Sequence, residues 1–142
     1  MELNIIQQIC SSRSIFALKD DTTYASVESL YEQDDDGEPI EAMCIWSTLE
    51  KAKENLIDDW STYQIEEITI NDFIENWCLG IFNDGLVFSL NLNLDGDTQE
   101  AQPLDLAYKI AQYTYLEKLE IKLNKFQDIS EFIEKIKPLI LE

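Results

Sequence analysis

Leu86-Val87-Phe88-Ser89-Leu90-Asn91-Leu92-Asn93-Leu94 decides the fold class. Leu86, Phe88, Leu90, Leu92 and Leu94 alternate with Val87, Ser89, Asn91 and Asn93, so one face is wholly apolar and the other turns polar along its length. Successive side chains of a strand point to opposite faces, and the pattern predicts a half-buried antiparallel strand. Turn chemistry brackets it. Asn83-Asp84-Gly85 precedes it with a dipeptide frequent in hairpins, and Asp95-Gly96-Asp97 ends it.

Helical spacing takes over on both sides. Upstream, Asn71 or Asp72 caps a helix with Phe73, Ile74, Trp77 and Ile81 inward, preceded by a short strand over Tyr63 to Ile68. Downstream, Pro103 suits a first helical turn, Asp105 sits near its positive end, and Leu104, Ala107, Ile110 and Ala111 line one face. From Leu116 to Phe126 a helical stripe (Leu116, Leu119, Leu123, Phe126) competes with a strand alternation (Leu119, Ile121, Leu123), and the strand is favoured slightly. Asp128 or Ser130 caps a last helix with Ile129, Phe132, Ile133 and Ile136 inward, stopping near Pro138.

The first half of the chain reads in the same way. Glu2 to Ser12 carries Ile5, Ile6 and Ile9 at helical spacing, and Ile15 to Leu18 reads as a strand. After the turn Asp20-Asp21-Thr22-Thr23, Tyr24 to Tyr31 returns as a hairpin partner. Asp34-Asp35-Asp36-Gly37 turns the chain into a third strand over Pro39 to Trp46. Ser47-Thr48-Leu49-Glu50 has the form of a capping box, with Ser47 as the cap of a helix to about Asp58. The sum over residues 1–142 is a single α+β domain: an antiparallel-rich sheet with helices packed mainly on one face.

The charge is regional. The chain holds 29 acidic residues against 10 basic ones, a formal net charge of -19. From Asp20 to Asp105 there are 22 acids and only Lys51 and Lys53 as bases, whereas after Asp105 six lysines offset six acids. Such a surface disfavours nucleic acid as a direct ligand, because phosphate binding needs clustered Lys and Arg. Self-repulsion on this scale exceeds the net charge of about 2–8 that ordinary solubility calls for, and a one-sign surface steers oppositely charged partners.

Chemistry of catalysis is scarce. With no histidine, the commonest general base and metal ligand are missing, and a Ser-His-Asp or Cys-His site within the chain is excluded. No phosphate-binding glycine loop occurs. Glu32, Asp34, Asp36 and Gly37 match the first half of a calcium loop, but the closing acid falls at Met43, which cannot ligate. No catalytic residue, metal site or cofactor is expected. Cys10, Cys44 and Cys78 are odd in number and widely spaced, the pattern of buried thiols. No signal peptide and no membrane span is read, and the expected location is the cytoplasm. Trp46, Trp60 and Trp77 read as core or core-edge residues, with interface anchoring as the sharper alternative.

Phe16-Ala17-Leu18-Lys19-Asp20, Ile45-Trp46-Ser47 with Glu50 and Ala52, Trp60, Phe73, Trp77-Cys78-Leu79, Asp84-Gly85 and Val87-Phe88 together resemble small bacterial proteins of the domain of unknown function 2750 family. The resemblance covers about Phe16 to Ala111, and it departs at Trp46-Ser47, where the family carries Trp-Pro. It implies a bacterial, cytoplasmic single domain and supplies no catalytic residue.

The expected function is therefore that of a non-catalytic, acidic cytoplasmic binding protein. Its concrete form is an immunity or antitoxin protein that neutralises a basic, nuclease-type toxin encoded nearby, by presenting carboxylates where phosphates would sit. The candidate partner-binding residues are Asp34, Asp35, Asp36, Glu38 and Glu41 around the acidic turn, with Asp58, Asp59, Glu66 and Glu67 second. The alternative is a housekeeping or regulatory binding module whose acidity serves solubility.

Overall fold

Val87–Leu90 forms strand β5, and all four residues are buried. Two neighbours of opposite direction flank it. β3 (Pro39–Ile45) runs parallel, with Ala42 opposite Val87 and Ile45 opposite Leu90, and β6 (Gln99–Ala101) runs antiparallel. β2 (Ser26–Gln33) pairs antiparallel with β3 and completes the order β2-β3-β5-β6. The strand expected to be purely antiparallel is thus half parallel. A parallel pair needs a long crossover, here everything between Ile45 and Val87.

The computed structural model describes residues 3–140. Its architecture is α+β, with mostly antiparallel strands. A second pair, β1 (Ser14–Lys19) with β4 (Gln64–Thr69), is antiparallel. The hairpin expected between the first two strands shrinks to one bridge, Lys19 with Tyr24. β1 is instead stitched to the end of β3 by reciprocal backbone bonds between Phe16 and Trp46, at 2.9 and 2.8 Å.

The alternation of β1 divides the interior. Ile15 and Ala17 enter a large core, while Phe16 and Leu18 enter a smaller one with Ala25, Cys44, Trp46 and Ala52. Helices α1 (Leu3–Ser12), α4 (Cys78–Asn83), α5 (Pro103–Leu116) and α6 (Ile129–Ile140) cover the large core. The short α2 (Leu49–Glu54) covers the other. The four-stranded sheet curls until its edges meet. Glu100 on β6 accepts from Ser29 Oγ at 2.6 Å and from the Leu30 N–H at 2.5 Å, which protects an edge otherwise open to pairing.

Several element ends differ from expectation for identifiable reasons. Asn91 adopts φ +54, and its side chain accepts the Ser47 N–H at 2.8 Å. That turn ends β5 after Leu90, so Leu92 joins the smaller core and Leu94 is exposed. The cap of α2 is Thr48, whose hydroxyl accepts the Lys51 N–H, because Ser47 is buried against Gln8 and Asn91. The next helix is capped by Thr69 rather than Asn71 or Asp72. It runs as α3 (Ile70–Asp72), a π-helical segment (Phe73–Trp77) and then α4. Asp84-Gly85 closes this helix rather than a hairpin. The Leu86 N–H reaches the Ile81 carbonyl and the Gly85 N–H reaches Phe82, with Gly85 at φ +72.

Residues 117–128 form neither strand nor helix. Leu119, Ile121 and Leu123 are half-buried and alternate with exposed neighbours, so the period of two is real but no ladder forms. The backbone is held by a side chain instead. Glu75, buried in the π-helical segment, accepts the Asn124 N–H at 2.7 Å and the Lys125 N–H at 2.5 Å. Asp128 then caps α6, accepting the Glu131 N–H at 2.9 Å, and the helix continues two residues past Pro138.

Glu75→Gln replaces one acceptor with a donor facing an N–H. The expected loss of stability is about 1–3 kcal/mol. Amide-exchange protection should fall at Asn124 and Lys125 while that of β5 persists relative to global unfolding. Unchanged protection at those two amides would show that Glu75 does not hold the segment.

Candidate binding cleft

A cleft of about 410 Å³ opens between the turn that ends β1 and the π-helical segment. Sequence chemistry builds its first wall. Asp20 Oδ1 accepts the N–H groups of Thr22 and Thr23 at 2.9 and 2.8 Å, which fixes the turn and holds the Asp20 carboxyl below its ordinary value. Thr22, Thr23 and then Tyr24 line the cleft from that side.

The opposite wall depends on the π-helical segment. One extra residue in the turn brings positions five apart onto one side. Trp77 Nε1 therefore donates to Asp72 Oδ2 at 3.3 Å, while Asn76 Nδ2 donates to Asp72 Oδ1 at 2.7 Å. The same extra residue takes Trp77 out of the expected core row. Phe73, Ile74, Glu75, Cys78 and Ile81 are buried, whereas Trp77 is half-buried in the cleft wall.

The two walls meet at their aromatic rings. Tyr24 and Trp77 pack edge to face, with centroids 4.9 Å apart and planes at 89°. Tyr24 Oη donates to Glu66 Oε2 at 2.7 Å, and Lys19 Nζ contacts Glu66 Oε1 at 3.0 Å. Lys19–Glu66 is the one ion pair among the described residues. Burial, then the bond to Glu66 and the charges of Glu66 and Asp72, push the Tyr24 phenol up to about 12. Met43, Ile81 and Leu86 make the apolar floor, and Glu41 and Asp84 stand exposed at the lining.

The expected binding residues are distributed unevenly around this site. Asp34, Asp35, Asp36 and Glu38 lie exposed in the β2–β3 turn. Asp34 builds that turn, accepting the Asp36 and Glu38 N–H groups at 2.9 and 3.0 Å with Gly37 at φ +82. Asn93-Leu94-Asp95-Gly96-Asp97 repeats the same arrangement after β5, with Asn93 in the accepting role. Glu41 lines the cleft and accepts from Ser26 Oγ. Asp58 and Asp59 are exposed on a 3-10 turn (Asp58–Trp60) beside the smaller core. Glu66 supports Tyr24, and Glu67 accepts from Ser14 Oγ at 2.6 Å.

The structure thus brings Glu41 and Glu66 to the cleft and leaves the acidic turn as a separate surface. Sequence reasoning missed Asp72, Asn76 and Asp84 as members of the site. The signal was Asp72 followed by Asn76 and Trp77, four and five residues on, and the second spacing is meaningful only in a π-helical turn. Of the tryptophans, Trp46 is fully buried, and Trp60 packs on it with centroids 6.2 Å apart.

A family model for proteins of unknown function, DUF2750, matches residues 3–110. The chain belongs to this family. The match extends the expected region to residue 3 and contains the whole cleft, both aromatic residues and every carboxylate named around them. Residues 111–142 lie beyond it. No curated protein and no solved structure matches the chain.

Among the described residues no group of three or more Cys, Asp or Glu side chains is placed to hold a metal ion. No helix among the described residues is long and apolar enough to cross a membrane. The three thiols are buried. Burial pushes Cys10 up to about 11, Cys44 up to about 12, and Cys78 well above its ordinary value.

These groups and Tyr24 share one sign. Folding favours their protonated forms, so the associated stability is complete below the ordinary values of 9.0 for Cys and 10.0 for Tyr. It is lost as pH rises through the raised values. The urea midpoint should fall between about pH 9 and pH 12, and native thiols should react with a disulfide reagent only as fast as the fold opens. A midpoint that rises across that window would contradict the assignment.

Proposed function

We propose that the protein is a non-catalytic acidic binding protein that neutralises a basic partner, and that it acts in the cytoplasm as the immunity component against a nuclease-type toxin. One observation carries the reading. The acidic turn is exposed and, among the described residues, without an ion pair, and it follows a strand that displays Leu30 and Tyr31 at 64% and 75% exposure. Exposed apolar and aromatic side chains next to a polar, charged border offer the anchors and the rim that a protein interface uses.

The physical sequence of events follows from the charge. A nuclease groove is cationic because it binds phosphate. The regional excess of carboxylates raises the encounter rate with such a groove, most strongly at low salt. Contact then replaces phosphate by carboxylate, and exposed Tyr31 and Leu30 exclude water at the edge of the contact. Asp34 is occupied in shaping the turn, so Asp35, Asp36 and Glu38 are the carboxylates it presents.

The test uses the product of the adjacent gene as partner. Reversing Asp35, Asp36 and Glu38 to Lys while keeping Asp34 preserves the turn. Association at low salt should slow at least about tenfold, and its salt dependence should flatten. Unchanged association would remove the acidic turn from the interface and favour acidity as a solubility device.

A further inference from the structure

We propose that the cleft lined by Tyr24 and Trp77 receives one arginine side chain of the basic partner, an inference that rests on the reading of the protein as a binder of such a partner. Four observations converge on a guanidinium. First, the sign is set by Glu41 and Asp84 at the lining, with Asp72 behind Trp77, while the charge of Glu66 is already paired with Lys19. Among the described residues no Lys or Arg lines the cleft. Second, the polar atoms of both rings are already engaged, Tyr24 Oη with Glu66 and Trp77 Nε1 with Asp72. What the rings leave to a ligand is π and hydrocarbon surface, and donation to a carboxylate enriches a ring in electron density, which strengthens its attraction for a cation. Third, the floor of Met43, Ile81 and Leu86 is apolar and suits the methylene stem of a long side chain. Fourth, the volume of about 410 Å³ falls within the ordinary range of ligand sites.

Arginine fits better than lysine. Its planar, weakly hydrated guanidinium can stack on an aromatic face and donate to carboxylates at the same time. An ammonium would surrender more hydration for fewer directed bonds. An apolar occupant would desolvate Glu41 and Asp84 without pairing them, and an anion would meet charge of its own sign.

The probe is acetyl-Gly-Arg-Gly-amide at low salt, followed by the indole N–H resonance of Trp77 and the side-chain amide of Asn76. The Arg peptide should shift both signals to saturation, the Lys peptide should bind several-fold more weakly, and the neutral citrulline peptide should leave both unmoved. Two variants test the place. Gly80 lines the cleft on a helical turn, and a Cβ there meets nothing within 4 Å. Gly80→Leu therefore obstructs the cleft while favouring the helix. The pair Glu41→Gln and Asp84→Asn removes only charge. Each should weaken the peptide about tenfold or more, with circular dichroism unchanged. No shift at Trp77 with millimolar Arg peptide, or an equal response to citrulline, overturns the proposal. The two readings also fail separately. A partner that binds normally to Gly80→Leu discards the cleft alone. An Arg peptide that binds, beside an adjacent-gene product that does not, discards the toxin-neutralising role alone.

Discussion

The reciprocal backbone pair between Phe16 and Trp46 is the constraint on which the two-core arrangement depends. It joins a two-stranded sheet to a four-stranded one, so that β1 can serve both interiors with alternate side chains. Trp46 extends the joint sideways. Its Nε1 donates to the Leu92 carbonyl at 2.9 Å, and the next N–H, that of Ser47, goes to Asn91. The end of β3 therefore fixes β1 on one side and the exit of β5 on the other. The β1–β4 ladder, with Ser14 opposite Thr69 and Lys19 opposite Gln64, sets the turn after Lys19 against the helix after Thr69. The joint ties that pair to β3, which carries Glu41 and Met43 of the cleft.

A chain with so few cations must satisfy its donors in another way, and it does so with its carboxylates. Asp20, Asp34 and Asp128 accept backbone N–H groups in turns and a helix cap. Glu75 and Glu100 do the same across long separations in sequence. Asp72 and Glu66 orient aromatic residues. Bonds to an ionised acceptor are stronger than neutral ones, which offsets part of the mutual repulsion of so many acids. Acidity is thus partly structural here. The residues left over, such as Asp35 and Asp36 on their turn, are those whose charge has no evident work inside the fold.

Periodicity made the helices and most strands legible, because burial on one side leaves a repeat of 3.6 or 2 in the sequence. Ile5, Ile6 and Ile9, or Leu104, Ala107 and Ile110, could hardly be read otherwise. The failures share a cause, since each turns on one backbone or side-chain event with no periodic trace. Asn91 ends β5 by a left-handed turn, although Leu92 and Leu94 continue the alternation. Residues 119–123 alternate as a strand does, yet side chains rather than another strand hold the segment, Arg13 at the Glu120 carbonyl and Glu75 at the N–H groups of Asn124 and Lys125. Parallel pairing of β3 with β5 depends on a crossover of some 40 residues, which no local window contains. The acidic turn was visible as charge. The cleft was not, because its members come from two turns, two strands and an irregular helix.

The π-helical segment is where these threads join. A regular helix over Phe73 to Trp77 would return Trp77 to the core row and rotate Glu75 away from residues 124 and 125. The inserted residue lets Glu75 point inward to the C-terminal segment and Trp77 outward to the cleft within three positions. Asn124 and Lys125, beyond the family-matched region, are therefore tied to the same five residues that shape the aromatic wall. The C-terminal segment and the aromatic wall of the cleft thus share one support, the π-helical turn that carries both Glu75 and Trp77.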